Sequence, residues 1–294
     1  MSITHAACGG GFQIRPRISH KEDNYLSITR TAEELKQWAT QMGIALSKTQ
    51  IEQFMSYLAL LVQVVQQVNI TGIHDEEEII TRHFLDSLSC VMAVNLIPGM
   101  RVLDVGSGAG FPGVPLKIYS PEIRLTVVDA SQKHLNFLYK LRSKLNCEFE
   151  ILDGRAEEYG QFKEHREAYD LVVSRAVAKM NILAEYCLPL VKINGYFLAM
   201  KGQAGEIEAR DAEPVIQMLG GEIEDVSAVV LPDGGIPSGS SKRVLIRVVK
   251  TKQTPAEYPR RTGVPEKKPL TDNCRVKSQV SDKISIVGRS GILA

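Results

Sequence analysis

Residues 101–113 read Arg-Val-Leu-Asp-Val-Gly-Ser-Gly-Ala-Gly-Phe-Pro-Gly, RVLDVGSGAGFPG. An apolar run carrying one acid, Asp104, ends at Val105 and falls straight into glycines. A short apolar run before a glycine turn suits a strand of a parallel sheet covered on both faces, with ligands bound beyond its C-terminal end. Glycines there let a ligand approach bare backbone.

The rest of the chain extends that pattern. Leu125–Asp129, Phe149–Leu152, Leu171–Val173 and Tyr196–Met200 read as further strands, and Leu135, Leu138, Leu141 and Leu145 recur at helical spacing after the second. Asp225–Leu231 and Val244–Val249 are two β-rich runs joined by Pro232–Ser240, too short for a helical crossover, so this pair is expected to be antiparallel. Upstream the period is helical. Ser47-Lys48-Thr49-Gln50 is a capping box, followed by Ile51, Phe54, Met55, Leu58, Leu61, Val62 and Val65 on one face; a second helix is expected from Asp75 through His83-Phe84-Leu85-Asp86-Ser87-Leu88 to Asn95. The expected organisation is a disordered leader over 1–30, a helical extension over 31–97, an α/β ligand-binding domain over 98–250 and a basic C-terminal tail over 251–294.

Three ligands compete for the glycine loop. A phosphate-binding P-loop is excluded, because Val114 and Pro115 stand where Lys and Ser/Thr belong. A dinucleotide fits Gly108-Ala109-Gly110-Phe111-Pro112-Gly113 as G-x-G-x-x-G with Asp129 downstream, but in that register the strand ends two residues early and Pro112 removes an N–H from the phosphate turn. The third register uses Asp104, Gly106, Gly108 and Gly110. An acid near an ammonium group, Asp129 at the next strand end for two ribose hydroxyls, and Asp153-Gly154-Arg155-Ala156-Glu157 beside an adenine describe S-adenosylmethionine. Each acid also fits a plain structural role at a helix N-terminus.

Composition narrows the classes. The chain has 294 residues, 44% hydrophobic and 23% charged, as in globular proteins, and no apolar run reaches the ~20 residues of a membrane span. Cys8, Cys90, Cys147, Cys187 and Cys274 are scattered, which argues against a disulfide framework or a metal site and for a reducing cytoplasm. The net charge of +1 conceals a basic stretch from Lys242 onward, including Arg260, Arg261, Lys267 and Lys268, which fits either a solvated tail or a local site for phosphates.

Taken in order, Asn69-Ile70-Thr71, His83-Phe84-Leu85-Asp86-Ser87-Leu88, the loop with Phe111-Pro112-Gly113, Gly154-Arg155-Ala156-Glu157-Glu158, Val173-Ser174-Arg175-Ala176, Lys201-Gly202 and the late Tyr258-Pro259-Arg260-Arg261 resemble the glucose-inhibited division protein B family of bacterial rRNA guanine-N7 methyltransferases. The resemblance spans about residues 31–270; one departure is Val64-Val65, where the family often has Trp-Asn. It implies a doubly wound, Rossmann-like class I methyltransferase sheet with an antiparallel edge strand and an N-terminal helical extension. It further implies S-adenosylmethionine as cofactor, 16S rRNA or the small ribosomal subunit as partner, and methylation at N7 of guanine 527 in the usual rRNA numbering. Cofactor contacts are carried onto Gly106, Phe111, Ala156, Glu157 and Arg175, with Asp129 at the ribose position; Asp104 and Gly108 come from the residues themselves.

N7 of guanine has a free lone pair and needs no general base, so orientation and exclusion of water are expected to supply the rate. No Asp/Asn-Pro-Pro-aromatic motif serves an exocyclic amine, and no Pro-Cys pair offers a nucleophile. Arg175 and Lys201, after the fourth and fifth strands, are the catalytic candidates, as cations that hold guanine O6. His83 and Asp86, three apart on one helical face, either orient a neighbour or form a structural pair. No metal, membrane or DNA is expected, and the protein is expected to be a cytoplasmic monomer. An NAD-dependent oxidoreductase and a non-catalytic ribosome-assembly module remain open at this point.

Overall fold

A computed structural model of the chain describes residues 20–232 and 242–271. Two long helices, α1 (His20–Gln41) and α2 (Lys48–Val65), lead into a composite helical segment: α3 (Glu76–Ile79), a π-helical stretch (Ile80–Leu85), α4 (Asp86–Leu88) and a 3₁₀ turn (Ser89–Met92). Ser47 and Gln50 form the expected capping box at α2. Helix α1 begins inside the stretch read as leader; residues 1–19 lie outside those described.

Then strands and helices alternate: β1 (Arg101–Val105), α5 (Gly113–Tyr119), β2 (Arg124–Asp129), α6 (Gln132–Leu145), β3 (Glu150–Asp153), α7 (Ala156–Tyr159), β4 (Tyr169–Arg175), α8 (Met180–Cys187), β5 (Val191–Lys201) and α9 (Gly205–Met218). The sequence closes with β6 (Gly221–Val230), β7 (Lys242–Lys250) and the short α10 (Val264–Lys267). The seven strands order as β3-β2-β1-β4-β5-β7-β6, parallel except that β7 runs antiparallel to both β5 and β6. The chain crosses over between β3 and β4, which opens a crevice at the C-terminal ends of β1 and β4, the topological switch point of such sheets. Most of the Pro232–Ser240 connection lies outside the described residues.

Alternation along each strand divides the core in two. Val102, Leu125, Val127, Leu171, Val173 and Leu198 pack under α1 to α6, while Leu103, Val128, Val172, Phe197, Ala199 and Ile246 pack under α8 and α9. The N-terminal helices are therefore part of one sheet face rather than a separate body. Residues 251–271 also differ from the tail reading: they lie against the domain, with Thr254 and Leu270 buried.

Candidate active site

Two cavities open at the crevice and share one residue, Val177, on the loop after β4. One is a narrow cleft of about 80 Å³ lined by Gly106, Asp129, Ala130, Gly154, Arg155, Ala156, Glu157 and Tyr186. The other, about 590 Å³, is lined mainly by cations and small apolar groups, among them Arg82, Arg175, Lys179, Lys201, Arg243, Ala176 and Met200. Ala176, between Arg175 and Val177, takes a φ of 57°, a left-handed conformation that costs a residue with a Cβ about 1–2 kcal/mol. Such strain concentrates at functional sites, and here it turns the chain so that neighbouring residues face the two cavities.

The narrow cleft gathers four residues expected to touch a ligand, Gly106, Asp129, Ala156 and Glu157; Gly108 is not in its lining but is tied to Asp129. Gly106 has φ 69°, and a Cβ on it would come within 2.5 Å of Val177 Cγ2. The backbone there is bare because nothing larger fits. Gly108 donates its N–H to Asp129 Oδ2 at 2.8 Å, and Asp129 Oδ1 accepts from Ser131 N and His134 Nδ1. Burial raises the Asp129 carboxyl, but these three donors outweigh it and hold the group below the usual carboxylate range. Asp129 is thus an ionised acceptor at the end of β2 that also ties the glycine loop to the next strand.

Asp104 and Phe111 stand elsewhere than a ligand-contact reading requires. Asp104 is fully buried; its Oδ2 accepts from Ser107 Oγ at 2.6 Å and Gly113 N at 2.9 Å, so it clamps the loop from beneath. Those bonds also consume the Gly113 amide that a pyrophosphate would need, and Gly110 is closed off by the Tyr57 hydroxyl, 2.7 Å from any added Cβ. The Phe111 ring, 5% exposed, lies between Tyr57 and the His83 ring, with centroids at 5.2 and 4.5 Å. It pins the loop to the helical extension.

Asp104 Oδ1 has no hydrogen-bond partner, and burial raises its carboxyl to about 6. The folded state therefore holds this proton more tightly than the unfolded chain, so the group's contribution falls as pH rises from about 4 to 6 and stays low above. The cost at neutral pH is roughly 3 kcal/mol. Asp104→Asn keeps an acceptor for Ser107 and Gly113 and carries no charge. Its melting temperature, relative to wild type, is expected to improve across that pH window and then level off; a difference independent of pH would contradict this.

The larger pocket is organised around a buried acid. Asp86, 2% exposed, accepts from Arg175 Nη1 at 2.8 Å and Arg243 Nε at 3.1 Å. Arg175 also donates to the Arg82 carbonyl and to His83 Nδ1 at 3.1 Å, and its guanidinium lies 5.1 Å from the Phe111 ring centroid. His83 Nε2 then donates to Thr71 Oγ1 at 2.8 Å. Burial and the adjacent Arg175 push the His83 ring down to about 3, so it is neutral and serves as an acceptor for Arg175 rather than as a base. His83 and Asp86 do not face each other; both fix Arg175. Three of the five N–H groups of the Arg175 guanidinium are engaged in these bonds, which leaves two for a ligand. Lys201 donates to the Ala178 carbonyl and to Glu208 Oε2 at 2.8 Å, holding its ammonium group at the same wall.

Val177, Tyr186, Arg82 and Arg243 lie outside the motifs that sequence reading singled out; Arg82 adjoins the His83 motif and Val177 the Val173–Ala176 motif, the signals that were available. Far from this pocket, Arg260 turns inward to the fully buried Glu185, while Arg261, Lys267 and Lys268 are exposed. Of the four cations read as a grip on phosphates, Arg260 is therefore committed to an internal pair and the other three are exposed. Among the described residues no cluster has the composition of a metal site, and no helix is long and apolar enough to cross a membrane.

The GidB family model, described as rRNA small subunit methyltransferase G, matches residues 50–234. A protein of Pelotomaculum thermopropionicum described as ribosomal RNA small subunit methyltransferase G is 44% identical over 240 residues, covering 81% of this chain and 98% of its own. One of Alkaliphilus metalliredigens with the same description is 41% identical, covering 80% and 97%. Among solved structures, an Aquifex aeolicus SAM-dependent methyltransferase aligns with a TM-score of 0.45 at 17% identity over 62% of this chain and 97% of its own.

Proposed function

We infer the reaction from one premise: the chain belongs to the rRNA small subunit methyltransferase G family. It is an S-adenosylmethionine-dependent rRNA methyltransferase, and within that class we propose that it methylates N7 of a guanine, guanine 527, in 16S rRNA. The observation that supports this reading is the meeting of the narrow cleft and the cation-lined pocket at Val177, an arrangement suited to a methyl donor on one side of that residue and its acceptor on the other.

The residues of the cleft suit the cofactor. Gly106 offers a cradle that a Cβ would fill, Asp129 offers an ionised acceptor for ribose hydroxyls, and Ala156 with Tyr186 supplies an apolar wall for adenine. The cleft is narrower than a nucleoside, and Val177, 39% exposed and on a loop, is the side chain that yields. Asp104 is a clamp in this account and Phe111 a pin; neither needs to touch the ligand. When bound, S-adenosylmethionine supplies an electrophilic methyl group.

The chain supplies orientation. Guanine N7 carries no proton, so no base is required, and the neutral, fully engaged His83 fits that requirement. The two remaining N–H groups of Arg175, and Lys201 of the same pocket, hold the guanine O6 edge and leave N7 exposed to the methyl group. Arg82, Lys179 and Arg243 give the pocket a cationic rim suited to the flanking phosphates. The nucleophile is the base itself, which agrees with Cys90 and Cys187 being buried with thiol pKa values raised by burial.

The partner is RNA, and the exposed cations of the C-terminal segment extend the contact. Replacing Arg261, Lys267 and Lys268 together with Ala is expected to weaken small-subunit binding and to lower the slope of log affinity against log salt by about 2, at roughly 0.7–0.9 per lost phosphate contact. S-adenosylmethionine affinity is expected to stay unchanged. Titrations at several salt concentrations decide it, and an unaltered slope would remove this surface from the RNA path.

A further inference from the structure

The segment after β7 begins at a buried anchor. Lys250 is fully buried and donates to the Leu188 and Val191 carbonyls at 2.6 and 3.2 Å, to Thr254 Oγ1 at 2.8 Å and to Glu167 at 3.0 Å. From there residues 254–270 cross the ends of α7 and α8 as a strap. Arg166 donates to the carbonyls of Thr254, Pro255 and Tyr258, and Gln161 to that of Pro259. Pro259 sits so close that a Cβ on Gly160, just past α7, would meet it at 2.7 Å. Asn181 on α8 holds the far end through the Leu270 carbonyl at 2.8 Å.

Two fasteners in the middle of the strap bear on the cofactor cleft. Arg260 meets Glu185 of α8 with three bonds: its backbone N and Nε to Oε1 at 2.9 and 2.8 Å, and Nη2 to Oε2 at 2.6 Å. Glu185 adjoins Tyr186, which lines the cleft. Three residues on, the Gly263 amide donates to Glu157 Oε1 at 3.1 Å, and Glu157 lines the cleft from α7. A four-residue helix such as α7 has no stability of its own. Its position relative to α8 is set by what ties the two together, and the strap ties both.

We propose that Arg260 and Glu185 are positioning residues for the cofactor: the strap of residues 254–270 clamps α7 to α8 and so holds Ala156, Glu157 and Tyr186 as the adenine-side wall of the cleft. The inference rests on the reading of that cleft as the S-adenosylmethionine site. The strap is two-sided, with Arg260, Pro259, Pro265 and Leu270 inward and Arg261, Lys267 and Lys268 outward.

The test uses the full chain with the variants Arg260→Ala and Arg260→Lys. S-adenosylmethionine affinity is measured by equilibrium titration well below each melting temperature, alongside small-subunit affinity at several salt concentrations and steady-state kinetics. Arg260→Ala is expected to raise the cofactor Kd and KM at least about tenfold, with kcat at saturating cofactor within about twofold and the salt slope of RNA binding unchanged. Arg260→Lys keeps the charge and loses the bidentate fork, and is expected to fall between wild type and Ala. Because Glu185 is fully buried, Arg260→Ala can fail to fold; Arg260→Lys then decides alone, with a several-fold rise in cofactor Kd expected. A cofactor Kd at the wild-type value in the folded variant overturns the proposal, whether the loss then appears in the salt slope or in melting alone. Wild-type chain that binds no S-adenosylmethionine overturns the cofactor reading itself, so the two failures are told apart.

Discussion

Gly106→Asp is expected to abolish S-adenosylmethionine binding and methylation while the protein still folds. The position combines a φ of 69° with a Cβ site 2.5 Å from Val177 Cγ2, so a carboxymethyl group has to displace Val177 and then occupies the cleft itself. Aspartate tolerates left-handed backbone better than most residues, at about 1–2 kcal/mol, so the melting temperature is expected to drop by only about 2–8 °C. Cofactor affinity is expected to fall by more than about 100-fold, since the added group takes the ligand's place and brings a negative charge beside Asp129. Calorimetric titration against the variant checks this directly. Near-wild-type binding would move the cofactor site away from the glycine loop.

Arg175→Lys is expected to lower kcat by about 100-fold, the order seen when a group that orients the substrate is misplaced by about 1 Å. The lysine keeps a cation in a site that is 13% exposed and so leaves Asp86 paired, which protects the fold. It cannot reach Asp86, the Arg82 carbonyl and His83 together and still present a donor to the pocket. The cofactor KM is expected to stay within about twofold, because Arg175 lines the larger pocket and not the narrow cleft. Steady-state kinetics with separate variation of RNA and cofactor test the split; an unchanged kcat would take Arg175 out of the reaction.

Sequence reading reached the strands, the glycine loop and Asp129 because their signals are local. A short apolar run, a glycine that must adopt positive φ and an acid at a strand end all lie within a few residues of each other. The capping box at Ser47 was legible for the same reason. What escaped it are partnerships over long separations. Asp86 meets Arg175 and Arg243 across 89 and 157 residues, and Arg260 meets Glu185 across 75. Nothing near Arg260 distinguishes it from Arg261, yet one turns inward to a buried acid and the other faces solvent. Asp104 shows a different limit. Its place at the strand end was correct, but whether an acid there faces the ligand or clamps the loop depends on which way the turn through Gly113 folds back. Val177 lies one residue past the Val173–Ala176 motif, and its place between two cavities, next to the positive φ of Ala176, is visible only in the fold.

The most direct test of the account is to incubate unmodified small ribosomal subunits with the protein and methyl-labelled S-adenosylmethionine, and to map the label in the RNA. The account expects one methyl group at N7 of guanine 527 of 16S rRNA with the wild-type chain and none with Gly106→Asp. Label on another nucleotide or atom, or equal label with the variant, would contradict it.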